Sequence, residues 1–182
     1  MVEQRGAPPR GGRERIVFLF DLDAGGFDGA VPPSPTSGSS PHLDLLKECV
    51  ALIVHTKARM RADHQYALLV LLEGGVLYSD FTSDASHFLQ QVSQLRASES
   101  FPSLDMSSVY SSLLDLRHAE GGEGGDTLRA ILLYTRQSAV PTFGGDDSAW
   151  RELSADPSFI LDTLYLHASG GGGGGENPGP GL

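Results

Sequence analysis

Short apolar runs and helical patterns alternate along most of the chain. Residues 16–20 (IVFLF) form a continuous apolar run, and residues 127–134 contain another, AILLY; such runs are typical of central strands in a parallel sheet, where both faces of a strand are covered. Between them, residues 42–60 place apolar side chains mostly at helical spacing, and basic residues gather near the end, where they suit the helix dipole. This alternation favours a doubly wound α/β fold.

A glycine turn between two further strand patterns predicts a β-hairpin. The patterns cover residues 66–72 and 76–78, and Glu73, Gly74 and Gly75 lie between them. A connection this short joins antiparallel strands. We therefore predict a mostly parallel sheet with helices on both faces and one antiparallel edge strand.

The second half of the chain continues the alternation of helices and strands. Thr82, Ser83 and Asp84 supply polar caps for a helix that ends near Leu95. The remaining predicted elements are a helix at 103–116, a strand at 127–134, a short helix at 149–153 and a strand at 158–167.

Clusters of glycine and proline set the predicted domain boundaries. A chain of 182 residues fits one domain, which we place at residues 15–168. Within it, residues 24–41 are rich in turn formers and predict a flexible loop. We expect residues 1–14 and the glycine-rich residues 169–182 to be disordered, because they bury too little apolar surface to offset the entropy of ordering.

Charge and hydropathy exclude several classes of function. The formal net charge of -10 repels a phosphate backbone, and the basic residues are scattered, so we expect no direct contact with nucleic acid. The first 15 residues lack the apolar core of a signal peptide, and no later apolar run approaches the about 18 residues that span a bilayer. We therefore expect neither secretion nor membrane insertion.

The cysteine and histidine residues do not form a pattern typical of a metal site. Cys49 is the single cysteine, and its place inside an apolar helical pattern predicts a small buried side chain in a reducing compartment. The six histidines have no i, i+4 pair and no neighbouring cysteine cluster, which argues against zinc. We expect no cofactor.

Two aspartates follow the first strand, where ligands gather in a doubly wound sheet. Asp21 and Asp23 in FDLDAGG resemble the opening of haloacid-dehalogenase-type phosphatases, in which one aspartate is the nucleophile and one the general acid. The sequence departs from that pattern at Gly25, and the GGDD at 144–147 is more typical of a turn. A metal-dependent, phosphatase-like hydrolase using Asp21 and Asp23 is the alternative function.

The same aspartates also resemble a decayed metal-ion-dependent adhesion site of von Willebrand A domains. Asp21 matches the first position of the D-x-S-x-S motif, but Asp23 stands at the first serine, and Ser107 or Ser108 is a weak substitute for the threonine of a later loop. Arg136 lies near the place of the last aspartate, where a cation opposes metal binding. We predict that these positions bind no metal and that the two aspartates are exposed on a strand-to-loop turn.

Several segments together resemble one family, the von Willebrand A-like scaffold subunit of the BRISC and BRCA-A deubiquitinase complexes. The resemblance covers roughly residues 14–168. Its matching stretches are FDLD at 20–23, ALIVHTKARMRADHQYALLVL at 51–71, LYSDFTSD at 77–84, RAILLYTRQSAVPTF at 129–143 and SFILDTLYLH at 158–167.

The resemblance implies a von Willebrand A-like fold and a noncatalytic scaffold. Its implied partners are an MPN-type zinc protease that cleaves ubiquitin chains linked through one particular lysine, the MPN-like scaffold of that protease and a ubiquitin-conjugating-enzyme-like subunit. Family members act in DNA-damage signalling in the nucleus and in deubiquitination in the cytoplasm. They continue past the last strand seen here, so the resemblance also implies either a C-terminally truncated fold with an unpaired strand edge or a fold that a partner completes.

Overall fold

The computed structural model describes residues 12–23, 41–119, 125–136 and 139–166. Most of the predicted disordered N-terminus, the predicted flexible loop except residue 41, and the whole predicted tail lie outside these ranges. In chain order the elements are β1 (Glu14–Asp21), α1 (Pro41–Met60), β2 (Gln65–Leu71), β3 (Gly75–Thr82), α2 (Ala85–Gln94), β4 (Leu104–Asp105), α3 (Met106–His118), β5 (Thr127–Tyr134), β6 (Pro141–Thr142), α4 (Ser148–Ala155) and β7 (Phe159–Tyr165).

Five strands form one sheet in the order β3-β2-β1-β5-β7. β1 pairs in parallel with both β2 and β5, and β5 pairs in parallel with β7. Only β3 among these strands is antiparallel, joined to β2 by the glycine turn. The predicted fold class, a mostly parallel α/β sheet with one antiparallel edge strand, is therefore confirmed.

The alternating side chains of the central strand enter two separate cores. Val17 and Leu19 pack on the side of α3 and α4, which we call the α3 face. Ile16, Phe18 and Phe20 pack on the side of α1 and α2, the α1 face. All five side chains are fully buried, because a central parallel strand is covered on both faces. The predicted helices on both sides of the sheet are thus confirmed.

Element boundaries differ from the predictions in ways that have local causes. The predicted cap of α2 is confirmed: the side chain of Asp84 accepts a hydrogen bond from the main-chain N–H of His87. β1 begins at Glu14, two residues before its apolar run. β4 and β6 were not predicted, because two residues are too few to show a period. The prediction for Cys49 was wrong: its side chain is only half-buried, since it lies beside the inner stripe of α1, formed by Leu43, Leu46, Val50 and Val54.

None of the helices among the described residues has the length and apolar character needed to cross a membrane.

Phe88 of α2 tests the α1-face core. Its ring is fully buried, 5.5 Å from the rings of both Phe18 and Tyr66. We expect Phe88→Ala to lower the free energy of unfolding by about 3–5 kcal/mol in urea titration, because it removes buried surface and leaves a cavity. The control is Leu52→Ala on the outer side of α1, where the side chain is 70% exposed and the change should stay within about 0.5 kcal/mol. Equal effects would contradict this packing.

His64 gives the fold a predicted pH dependence. Burial lowers the pKa of this imidazole below its ordinary 6.5, and its Nδ1 accepts the N–H of Glu14 at 2.9 Å. As the pH falls, His64 is therefore protonated at a higher pH in the unfolded chain than in the folded one. The stability that neutral His64 contributes is present in full above about pH 7 and is lost progressively below about pH 6.5.

We expect His64→Asn to reduce the loss of stability between pH 7.5 and 5.5, measured as the urea midpoint at each pH. The amide oxygen of asparagine accepts the same N–H and does not titrate. His55→Asn, on the exposed side of α1, should keep the wild-type pH dependence. An unchanged slope in His64→Asn would refute the assignment.

Candidate functional site

Residues that follow β1 and β5 meet at the carboxyl edge of the sheet. Phe20 of β1 is in register with Leu133 of β5, so the residues after the two strands are neighbours. Asp21 ends β1, and Arg136 lies two residues after the end of β5. The structure thus brings together Asp21, Asp23 and Arg136, as their places in the sequence predict.

The carboxylate of Asp21 accepts hydrogen bonds from four donors. Its Oδ2 accepts from the N–H and the hydroxyl of Thr135, both at 3.1 Å. Its Oδ1 accepts from Nε of Arg136 at 3.0 Å and from the N–H of Asp23 at 3.2 Å. The residue is 3% exposed, so these donors replace the water that a buried carboxylate loses.

Asp23 holds the segment after α2 against the end of β1. Its Oδ2 accepts the N–H of Phe101 at 2.7 Å, and its Oδ1 accepts the hydroxyl of Ser100 at 3.3 Å. The main chain adds a bridge between Asp23 and Ser98, in which the N–H of Ser98 donates to the carbonyl of Leu22 at 2.7 Å. Asp23 is 6% exposed as a result.

The prediction that Asp21 and Asp23 are exposed was therefore wrong. Both carboxylates are buried: the guanidinium of Arg136, which follows β5, lies 3.0 Å from Asp21 and 3.7 Å from Asp23, and residues 98–101 contact Asp23. Those residues follow α2 without an apolar period, and sequence spacing gives no sign that they return to β1.

The guanidinium of Arg136 joins three strand ends and a loop. Nε donates to Asp21 and lies 3.7 Å from Oδ2 of Asp23. Nη1 donates to the carbonyl of Ser103 at 2.8 Å, and Nη2 donates to the carbonyls of Leu71 at 3.2 Å and of Leu72. A planar, permanently charged group with five N–H donors suits such a position.

Arg136 supplies positive charge at the place where a divalent cation would otherwise balance the two carboxylates. A metal ion here would have to compete with the guanidinium for oxygens that already accept hydrogen bonds. A cavity beside Asp21, Asp23 and Thr135 has a volume of about 10 Å³, roughly the space of a single water molecule. The described part of this edge therefore offers little room for a phosphorylated substrate.

The serines considered for the missing threonine make contacts of another kind. The N–H of Ser107 donates to Oδ1 of Asp105 at 2.9 Å, and its hydroxyl oxygen accepts the N–H of Gly145 at 3.3 Å. Ser108 accepts the N–H of Gly75 at 3.0 Å and donates to the carbonyl of Asp105. These bonds fix the start of α3 to the hairpin turn and to the loop before α4.

Asp105 is the N-cap of α3 and also binds the predicted GGDD turn. Its side chain accepts the N–H of Gly144 at 3.0 Å as well as that of Ser107. These main-chain donors lower the pKa of the Asp105 carboxyl. Within the described ranges, no group of three His, Cys, Asp or Glu side chains converges as a metal site would require.

Sequence reasoning missed Thr135, Ser98, Ser100 and Phe101. Thr135 had a usable signal, since a polar residue directly after a buried parallel strand lies at the edge where ligands gather. The other three come from a segment whose course depends on the tertiary structure alone.

Comparisons with known proteins give a consistent but weak signal. No family model matches the chain. The chain is similar to the protein named BRISC and BRCA1-A complex member 1 of Danio rerio, with 25% identity over 69% of this chain and 35% of that protein. For the proteins of the same name in Rattus norvegicus and Mus musculus, the identity is 23%, covering 85% of this chain and 47% of each relative. The chain thus spans between about a third and a half of the length of these relatives.

Solved structures show only distant likeness. The PilB minor pilin from Streptococcus sanguinis has a TM-score of 0.47 and 13% identity, covering 69% of this chain and 30% of that one. BatB from Bacteroides thetaiotaomicron has a TM-score of 0.49 and 8% identity, covering 85% of this chain and 91% of that one. Scores this low add nothing to the fold derived above.

Arg136→Met tests the buried pair. The variant keeps an apolar stem but leaves the Asp21 carboxylate buried without its counter-ion, so we expect the free energy of unfolding to fall by about 3–5 kcal/mol in urea titration. The double variant Asp21→Asn/Arg136→Met should lose less free energy of unfolding than the sum of the losses in the two single variants, because both charges are then removed together.

The control is Arg151→Met, which breaks the exposed pair with Asp147 on α4. The Arg151 side chain is 76% exposed, so the loss should stay within about 1 kcal/mol. Strict additivity of the Asp21 and Arg136 changes would show that the pair is not coupled.

Proposed function

We propose that this chain is a noncatalytic scaffold subunit of a BRISC/BRCA1-A-type deubiquitinase complex. The observation that carries the proposal is that the Asp21 carboxylate is buried and hydrogen-bonded within the protein. This carboxylate lies where a doubly wound fold holds ligands, and four groups of the protein itself donate hydrogen bonds to it. A general base or nucleophile must reach a substrate atom, and a carboxylate that is buried and saturated in this way does not.

The sequence similarity supports the same proposal from another direction. The relatives that match most of this chain are named as members of a complex, and membership is a binding role. By this resemblance the partners are an MPN-type zinc protease, its MPN-like scaffold and a ubiquitin-conjugating-enzyme-like subunit. The protease cleaves ubiquitin chains, while this chain holds subunits together and needs no metal at Asp21, Asp23 or Ser107. It acts in ubiquitin signalling and the DNA-damage response, in the cytoplasm and the nucleus.

Co-purification tests the proposal. We expect the tagged chain, co-expressed with those three subunits, to capture them and to co-elute with them in size-exclusion chromatography. The control is the Leu52→Ala variant, whose change lies on the outer side of α1 and leaves both cores intact. Failure of a chain with a normal circular dichroism spectrum to capture any subunit would contradict the proposal.

A phosphatase assay tests the alternative function. With p-nitrophenyl phosphate and Mg²⁺, we expect no hydrolysis above that of the heat-denatured chain, because the cavity beside the aspartates has room for little more than one water. Magnesium-dependent turnover that Asp23→Asn abolishes would instead establish a hydrolase.

A further inference from the structure

Two cations on the α1 face converge on the C-terminal end of α2. The Nζ of Lys47 donates to the carbonyl of Leu95 at 2.8 Å and to that of Ser93 at 3.3 Å. The Nη1 of Arg96 donates to the same two carbonyls, at 2.9 Å and 3.1 Å. Because both nitrogens contact the same oxygens, two positive charges lie side by side. We call these two side chains the Lys47–Arg96 pair.

The end of a helix accounts for one cation at this place but not for two. The last carbonyls of a helix carry roughly half an elementary negative charge, and a single lysine or arginine commonly binds them. The second cation adds a repulsion between like charges. Burial and the neighbouring Arg96 accordingly lower the pKa of Lys47, and the weaker attraction of Asp44 does not reverse the shift.

No carboxylate balances the Lys47–Arg96 pair within the part of the chain that the structure describes. Neither side chain forms an ion pair with any residue in those ranges. By contrast, Lys57, Arg117 and Arg129 each pair with a carboxylate. In a chain with a formal net charge of -10, two adjacent cations without an acidic partner are a local excess of positive charge.

The pair keeps donors that the α2 carbonyls do not use. An ammonium group has three N–H donors and Lys47 uses two of them, so one remains. On Arg96 the bonds are made by Nη1, so Nε and Nη2 remain. Lys47 is half-buried and Arg96 is exposed, so a ligand reaches these donors from solvent.

The main chain holds the two cations in place. Leu46 precedes Lys47 and Leu95 precedes Arg96, and both leucines are buried in the α1-face core. The pair therefore projects from packed positions on α1 and at the end of α2. A ligand that binds both cations need not order a loose segment first, which lowers the entropic cost of binding.

We propose that the Lys47–Arg96 pair binds the carboxylate of an aspartate or glutamate on a partner subunit. A carboxylate has two oxygens, so it accepts hydrogen bonds from both cations at once and balances their charge. This inference rests on the proposed function, because it takes the partner to be a subunit of the same complex.

A dissolved anion such as phosphate suits the pair less well. Arg96 is exposed, so salt at physiological concentration screens its charge and a free ion gains little. A carboxylate on a docked subunit has a high effective concentration, because other contacts hold that subunit nearby. Since the chain as a whole is acidic, attraction at this one place also fixes the orientation of an acidic partner surface.

Arg96→Gln separates carboxylate binding from the contact with the helix end. Glutamine keeps side-chain N–H donors for the α2 carbonyls but has no charge. We expect capture of the complex to weaken about tenfold, while the urea midpoint stays close to that of wild type. Arg96→Lys, which keeps the charge, should restore most of the capture.

The matched control is Arg151→Gln on α4. It removes the same charge from a side chain that is 76% exposed and lies on the α3 face, so it should capture as wild type does. An equal loss of capture in Arg151→Gln and Arg96→Gln would show a general effect of net charge and overturn the inference.

Lys47→Gln tests whether the two cations bind one group. This variant should also weaken capture about tenfold, and the double variant with Arg96→Gln should lose less than about a hundredfold, because both changes remove the same contact. Fully multiplicative losses would show that the two side chains act separately and overturn the shared carboxylate.

Inorganic phosphate, titrated into the isolated chain by calorimetry, distinguishes the source of the anion. We expect no saturable binding below about 1 mM, since a lone ion at an exposed pair of cations is screened. Saturable binding that Arg96→Gln abolishes would assign the pair to free phosphate and overturn the partner carboxylate.

The outcomes separate this inference from the function on which it rests. Capture by wild type that Lys47→Gln and Arg96→Gln leave unchanged overturns the inference and leaves the scaffold function standing. Absence of capture by well-folded wild type overturns both.

Discussion

The buried ion pair between Arg136 and Asp21 fixes the arrangement of the carboxyl edge of the sheet. Removing two charges from water costs several kcal/mol for each ion, and only good geometry with further hydrogen bonds offsets that cost. Here the guanidinium also binds the carbonyls of Leu71, Leu72 and Ser103. The ends of β1, β2 and β5 and the segment before β4 are therefore held by one side chain, and the arrangement is favourable only when it is complete.

This pair joins the strand ends at the edge and leaves the Asp21 carboxylate hydrogen-bonded within the protein. The place where a doubly wound sheet offers ligand-binding groups is filled by the protein's own donors and acceptors. At the side of the sheet, Asp162 pairs with Arg129 and keeps about half of its side chain exposed. The ion pairs of the sheet thus range from a fully buried pair at its carboxyl edge to a partly exposed pair at its side.

The fold was predictable where the sequence has a strong period. IVFLF in β1 is apolar at every position, and the structure buries it on both faces. The hairpin followed from Gly74 and Gly75, and the cap of α2 from Asp84. β4 and β6 have no period to detect, and they form because the start of α3 and the residues before α4 lie side by side.

The candidate site was predictable in position but not in environment. The place of Asp21 and Arg136 after adjacent parallel strands indicated that they lie close together, and they form an ion pair. Their burial depends on Phe101 and Ser103, from a segment that is distant in sequence from both. Contacts of that kind arise from the assembled fold, and neither spacing nor composition encodes them locally.

An arginine in the place of a metal ion also changes how the molecule responds to its surroundings. An ion-binding site exchanges its occupant with the solvent, so it has a filled and an empty state, and the concentration of the ion sets the balance between them. The guanidinium of Arg136 is covalently attached and stays protonated. We therefore expect the carboxyl edge of this sheet to respond neither to chelators nor to changes in magnesium or calcium, whereas an ion-binding site in the same place would respond to both.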